Sequence, residues 1–200
     1  MEQVIRNGSE DRAGTGDPKK LNMSVIQVHD KSFEPYITSE EIQKRVSELA
    51  AILDKEYAGK KPLFIAILNG SFVFAADLFR RLTIEAEICF IKLASYKGTK
   101  SSGQVITAIG LDTDLYGREI VIIEDIVDTG KTLTEFLPQL HHQQPASLKI
   151  VALLHKPEAT KYDLKIDYLG FSIPDKFVVG YGLDYDGFGR NIPAIYRLCE

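Results

Sequence analysis

"VIIEDIVDTGKTLTEF", residues 121–136, decides the fold. It opens as an apolar run of the kind that forms a strand buried on both faces. Two adjacent acids follow, Glu124 and Asp125, then a third, Asp128, and then Thr129-Gly130-Lys131-Thr132. From Lys131 to about His142 the pattern predicts a helix. "IVIIE" reads as a central strand, "DIVDTG" as the turn at its carboxyl end, and "KTLTEFLPQL" as the helix. A helix that starts at such a turn points free N–H groups and the positive end of its dipole at whatever fills the turn. Small residues, two hydroxyls and a glycine make residues 128–132 a cradle for a phosphate.

Gly130-Lys131-Thr132 also looks like the end of a nucleoside-triphosphate loop. Such a loop requires glycine five positions before its Gly-Lys pair, and here that position is Asp125. An acid where the triphosphate nest should be argues against an ATPase or kinase. From these residues alone, an ordinary strand-turn-helix whose acids cap the helix remains open.

The same order recurs along the chain. Thr38 and Glu41 stand at capping-box spacing, with Ile42, Val46, Leu49 and Leu53 on one helical face and Gly59 and Pro62 beyond. "LFIAIL" (63–68) predicts a buried strand, Asn69-Gly70-Ser71 a turn, and the apolar stretch to about Arg81 a helix. Further strands are predicted at 84–93, 105–110, 118–124, 148–154, 166–171 and 177–181. Repeated β-α-β order predicts an α/β fold with an open, mainly parallel twisted sheet flanked by helices, and ligands at the strands' carboxyl ends. Residues 1–22 are polar, without a sustained apolar period, and are expected to be a disordered tail or added extension, with Met23 a plausible start. Residues 23–200 then make one domain. The stretch 95–104 is Gly/Ser/Lys-rich and reads as a mobile loop.

Composition narrows the function classes. With 44% hydrophobic and 26% charged residues the 200-residue chain is of globular type. A formal net charge of −4 and no long basic run argue against a protein that coats nucleic acid. Cys89 and Cys199 have no metal-like spacing and are expected to be reduced thiols. No apolar run reaches the ~18 residues of a membrane span, and no signal-peptide pattern opens the chain. A soluble, cytoplasmic protein is expected. His29, His141, His142 and His155 suggest no chemistry.

Two acids, two apolar residues and Asp-Thr-Gly-Lys-Thr after a strand resemble the diphosphoribosyl-binding signature of type I phosphoribosyltransferases, in the version of the hypoxanthine/guanine phosphoribosyltransferases. "ILNGSFVFAADLFRR" (67–81), "LLHKPE" (153–158) and "IPDKFVVGYGLDYDGFGRNIP" (173–193) resemble that family's other segments, in the right order. The resemblance runs from about Phe33 to the C-terminus. It implies a small hood formed by N- and C-terminal segments. The reaction implied is transfer of 5-phosphoribosyl from its diphosphate to a purine N9.

Asp128, Thr129, Gly130, Lys131 and Thr132 would then bind the 5-phosphate, with Asp128 as general base toward purine N7. Glu124 and Asp125 would take the ribose hydroxyls and lie near Mg²⁺, and Asp184 would coordinate a second Mg²⁺ and border the purine. Lys156, a surface lysine on its context alone, would read the 6-oxo group. Phe177 would stack on the base and the Val178 backbone would read its edge, although "FVV" by itself is a core-strand pattern. Asn69, Gly70 and Arg190 would bind diphosphate, with a non-proline cis bond expected at Leu68-Asn69. Relatives usually carry Lys where this chain has Asn69, which bears on diphosphate affinity and on contacts with a neighbouring subunit. Ser95 and Tyr96 would belong to a lid. Relatives form dimers or tetramers. The alternatives are a xanthine-preferring enzyme and a regulator that senses phosphoribosyl diphosphate while binding nucleic acid.

Overall fold

The computed structural model describes residues 24–95, 105–109 and 113–199. The expected tail 1–22 and the lid residue Tyr96 lie outside the described residues, as does the side chain of Ser95. In chain order the first elements are β1 (Ile26–Val28), β2 (Lys31–Ile37), α1 (Ser39–Glu56), β3 (Leu63–Leu68), α2 (Phe72–Phe79) and β4 (Glu87–Ser95). There follow β5 (Val105–Ile109), β6 (Glu119–Val127), α3 (Lys131–His141), β7 (Ser147–His155), β8 (Tyr168–Ser172), β9 (Val178–Val179) and β10 (Ile195–Leu198).

The larger sheet has the order β5-β4-β3-β6-β7-β8, and all its pairings are parallel except the antiparallel edge strand β5. Its inner strands are apolar throughout because alternate residues are buried on opposite faces. Phe64, Ala66, Val121 and Ile123 pack beneath α1 and α2, whereas Leu63, Ile65, Ile120 and Ile122 pack beneath α3. The first helix starts as its sequence predicts. Thr38 Oγ1 accepts the Glu41 N–H at 3.1 Å, and Glu41 Oε2 accepts the Thr38 N–H at 2.8 Å. Ile42, Val46, Leu49 and Leu53 all turn inward.

Two expectations need correction. The central strand does not stop at residue 124. It runs on to Val127, because Glu124, Ile126 and Val127 stay in register with Ala152, Leu154 and His155 of β7. Glu124 and Asp125 are therefore strand residues, and the turn is only 128–130. The other correction is at 177–181, where just Val178 and Val179 form a strand, and it belongs to a second sheet. That sheet, β1-β2-β10-β9, is antiparallel and joins both ends of the described chain around Phe33, Val179, Ala194 and Tyr196. It is the hood, positioned over the carboxyl edge of the larger sheet by Ile37, Val178 and Ile195, which share a core with α1 and α2.

Candidate active site

The turn after β6 closes on itself through side chains. Gly130 takes φ +82° at the start of α3, a conformation that glycine adopts without steric cost, and Thr129 Oγ1 accepts the Lys131 N–H at 3.3 Å. Glu124, Asp128, Thr129, Gly130, Lys131 and Thr132 are among the residues that line a cavity of about 80 Å³ there. Thr132 and Leu133 belong to the first helical turn, whose N–H groups have no acceptor within the helix. An anion fits this cavity on geometry and on dipole direction alike.

The adjacent acids of β6 point in opposite directions, as successive strand residues do. Glu124 lines the cavity below α3, and its Oε2 is buried without a hydrogen-bond partner. Burial, then the neighbouring Asp125 charge, raises the Glu124 carboxyl well above the usual range. Asp125 instead faces the turn before α2, so close to Gly70 that any Cβ there would overlap its carboxylate. Burial pushes Asp125 up to about 6, against backbone N–H groups and Arg190, which act the other way.

That α2 turn carries the expected cis bond between Leu68 and Asn69. Asn69 is exposed, and Gly70 is packed from behind: a Cβ on Gly182 would overlap the Gly70 carbonyl. The chain therefore needs glycine on both sides of this contact. Arg190 Nη1 donates to Gly182 O at 2.7 Å, and its Nη2 lies 2.7 Å from Asp184 Oδ1. Asp184 Oδ2 also accepts the Gly187 N–H at 2.7 Å. Asp125, Gly70, Gly182, Asp184 and Arg190 thus form one rim, rich in backbone and in both signs of charge.

Lys156 is not a surface residue. It is 6% exposed at the end of β7, with Nζ at 3.3 Å from Asp128 Oδ2 and 3.2 Å from Asp175 Oδ1. Sequence reading passed over Asp175, because an acid between Pro174 and Lys176 has the look of a solvated turn. Phe177 is 45% exposed, and its ring makes an edge contact with Tyr185 at 5.8 Å and a tilted one with Phe33 at 6.3 Å. Val178 is buried beside it. Tyr181 also went unread. Its hydroxyl donates to Asp77 Oδ2 at 2.7 Å, which ties the 180–190 segment to α2.

Among the described residues no three His, Cys, Asp or Glu side chains gather into a ready-made metal site. Mg²⁺ rarely needs one, since it is commonly bound by one or two carboxylates together with substrate phosphates and water. The unpartnered Glu124 Oε2 and the buried Asp125 carboxylate suit that manner of binding. Cys89 and Cys199 are free thiols. No helix among the described residues is long and apolar enough to cross a membrane.

A cavity at a helix start, two acids near the end of a central strand and a buried lysine paired with Asp128 of the turn lie together at one edge of the larger sheet. The chain belongs to the phosphoribosyl transferase domain family, whose model matches residues 36–186. It is 47% identical over 168 residues to the hypoxanthine-guanine phosphoribosyltransferase of Lactococcus lactis, covering 83% of this chain and 91% of that protein. It is 41% identical over 162 residues to the hypoxanthine-guanine-xanthine phosphoribosyltransferase of Tritrichomonas foetus, covering 80% and 88%. Among solved structures, a hypoxanthine phosphoribosyltransferase from Staphylococcus aureus superposes with a TM-score of 0.79 at 42% identity, covering 83% of this chain and 91% of that one.

Proposed function

We infer that this chain transfers 5-phosphoribosyl from 5-phosphoribosyl diphosphate to N9 of hypoxanthine, guanine or both, releasing diphosphate in purine salvage. The observation that carries the reading is Lys156, buried beside Asp128 at the edge of the phosphate turn. A buried donor there selects a base with a 6-oxo acceptor, because adenine would set its own 6-amino donor against it.

In the transfer the N9 lone pair forms the new bond to ribose C1 as the bond from C1 to the diphosphate oxygen breaks. The electron pair of that bond leaves with diphosphate, and the proton on purine N7 passes to Asp128. The backbone and hydroxyls of residues 128–132 hold the 5-phosphate, so the ribose enters already placed. Glu124 and Asp125 accept hydrogen bonds from the ribose hydroxyls, and their charge favours the positive ring of the transition state. Phe177 stacks on the base, and the Val178 backbone and Asp184 border its C2 edge. Asn69 and Gly70, through main-chain N–H groups, and Arg190 hold diphosphate. Glu124, Asp125 and Asp184 would hold Mg²⁺ together with substrate oxygens, and the ion would supply charge neutralisation for diphosphate. Ser95 and Tyr96 belong to a lid that excludes water from the ring. A cytoplasmic homodimer or homotetramer fits the family.

Xanthine shares the 6-oxo group that Lys156 reads, and the relative from T. foetus names it, so an enzyme preferring xanthine is the second reading. A nucleic-acid-binding regulator lacks support from a chain of net charge −4. The test is a progress assay with 5-phosphoribosyl diphosphate, Mg²⁺ and hypoxanthine or guanine, following nucleotide and diphosphate together. Formation of both from either base is expected. No nucleotide from either would sink the reading.

A further inference from the structure

The segment 156–161 runs directly behind the phosphate turn and bonds to it three times in succession. The carbonyls of Val127, Asp128 and Thr129 accept, in order, from Lys156 N at 2.9 Å, Thr160 Oγ1 at 2.9 Å and Lys161 N at 3.0 Å. The outer two donors are main chain and survive almost any substitution. The middle one is a side-chain hydroxyl, and it bonds to the residue whose carboxylate pairs with Lys156.

Thr160 Oγ1 has two further neighbours, Lys156 O at 2.9 Å and His155 Nε2 at 3.0 Å. A hydroxyl has one proton to donate. Lys156 O already accepts the N–H groups of Ala159 and Thr160, both at 3.1 Å. The hydroxyl proton therefore goes to Asp128 O. If the imidazole also offered a lone pair, three acceptors would surround one proton, so the ring nitrogen must be the donor.

We propose that Thr160, oriented by an N–H from His155 Nε2, is a positioning residue that clamps the Asp128 turn against the Lys156 turn. The proposal rests on the transferase reading above. The clamp fixes the distance between the group that takes the N7 proton and the group that reads the 6-oxo atom, so it acts on the purine side of the reaction. Of the residues that hold 5-phosphoribosyl diphosphate, the clamp touches only Asp128, at a carbonyl oxygen, whereas the phosphate is held by N–H and hydroxyl donors of the turn and by the far rim.

Thr160→Val removes the hydroxyl and keeps the shape, and Thr160→Ser restores the hydroxyl. Loss of one such bond should lower kcat with hypoxanthine about ten-fold and raise its KM, with the KM for 5-phosphoribosyl diphosphate within about two-fold of the parent. Thr160→Ser should recover most of the loss. Long-range ¹H–¹⁵N spectra of the imidazole, recorded without substrate, should show His155 protonated at Nε2. A neutral ring protonated at Nδ1 would overturn the proposal. So would a Thr160→Val variant that loses thermal stability but keeps the parent kcat and hypoxanthine KM. A parent protein that transfers to no purine would count against the transferase reading instead, and the ring tautomer would still decide the clamp.

Discussion

The two sides of the site are built differently. On the phosphate side, Glu124 to Thr132 come from one unbroken segment, most of it strand and helix, with Glu124 and Asp125 set into the strand and Asp128 exposed at the turn. On the purine side, Lys156 directly follows β7, Asp175 and Phe177 come from a connecting segment, and the Phe177 ring leans on Phe33 of the hood and on Tyr185. The phosphate side carries a stability cost in the Glu124 and Asp125 carboxyls. The purine side is assembled from distant parts and leaves its stacking ring 45% exposed.

Asp128 lies where the two sides meet, so its replacement should have the largest effect. Asp128→Asn should lower kcat by about 10²–10⁴-fold, the usual worth of a positioned general base, with a much smaller change in the KM for 5-phosphoribosyl diphosphate. An unchanged kcat would remove Asp128 as the base and place the chemistry elsewhere. Lys156→Met comes next. It leaves Asp128 and Asp175 without their cation, and kcat/KM for hypoxanthine should fall about 10–100-fold, a charged hydrogen bond's share. Equal losses with adenine as competitor and with hypoxanthine would show that Lys156 does not select the base. Phe177→Leu tests the hood alone and should raise the purine KM about ten-fold, in line with a lost base–aromatic stack.

The smallest effect concerns the cost of the phosphate side. The Asp125 carboxyl is at about 6 in the folded chain against 3.8 when unperturbed, so the folded state binds its proton more tightly. Stability from this group is full below 3.8, falls as pH rises through about 6, and stays low above it. Asp125→Asn should therefore melt higher than the parent at pH 8, by about 2–4 °C for each kcal/mol recovered, with the gain vanishing at acid pH. A gain that is the same at both pH values would mean that the carboxyl is not the source of the cost.

The contrast between the two sides also explains what was legible in the sequence. The β3 run and the capping box at Thr38 are local signals that fold as they read, and the β6 and β7 runs form strands in place but extend beyond their expected ends. The turn that lines the cavity was legible because its residues are consecutive. The strand status of Asp125 to Val127 was not, since it comes from pairing with β7, and acids usually end strands. β1, β2 and β10 were missed because β1 and β10 have only three and four residues, β2 is interrupted by Pro35, and all three exist by pairing the two ends of the described chain. Asp175, Thr160 and Tyr181 carry ordinary polar signals in sequence. Their partners, Lys156, Asp128 and Asp77, lie 19, 32 and 104 residues away. Only the folded chain joins them.

In the proposed function the buried Lys156, beside the phosphate turn, selects 6-oxopurines over adenine. Initial rates of the parent protein with hypoxanthine, guanine, xanthine and adenine, measured side by side with 5-phosphoribosyl diphosphate and Mg²⁺, test it directly. Efficient transfer to hypoxanthine or guanine, with none to adenine, is the predicted result. Transfer to adenine as efficient as to hypoxanthine would contradict it.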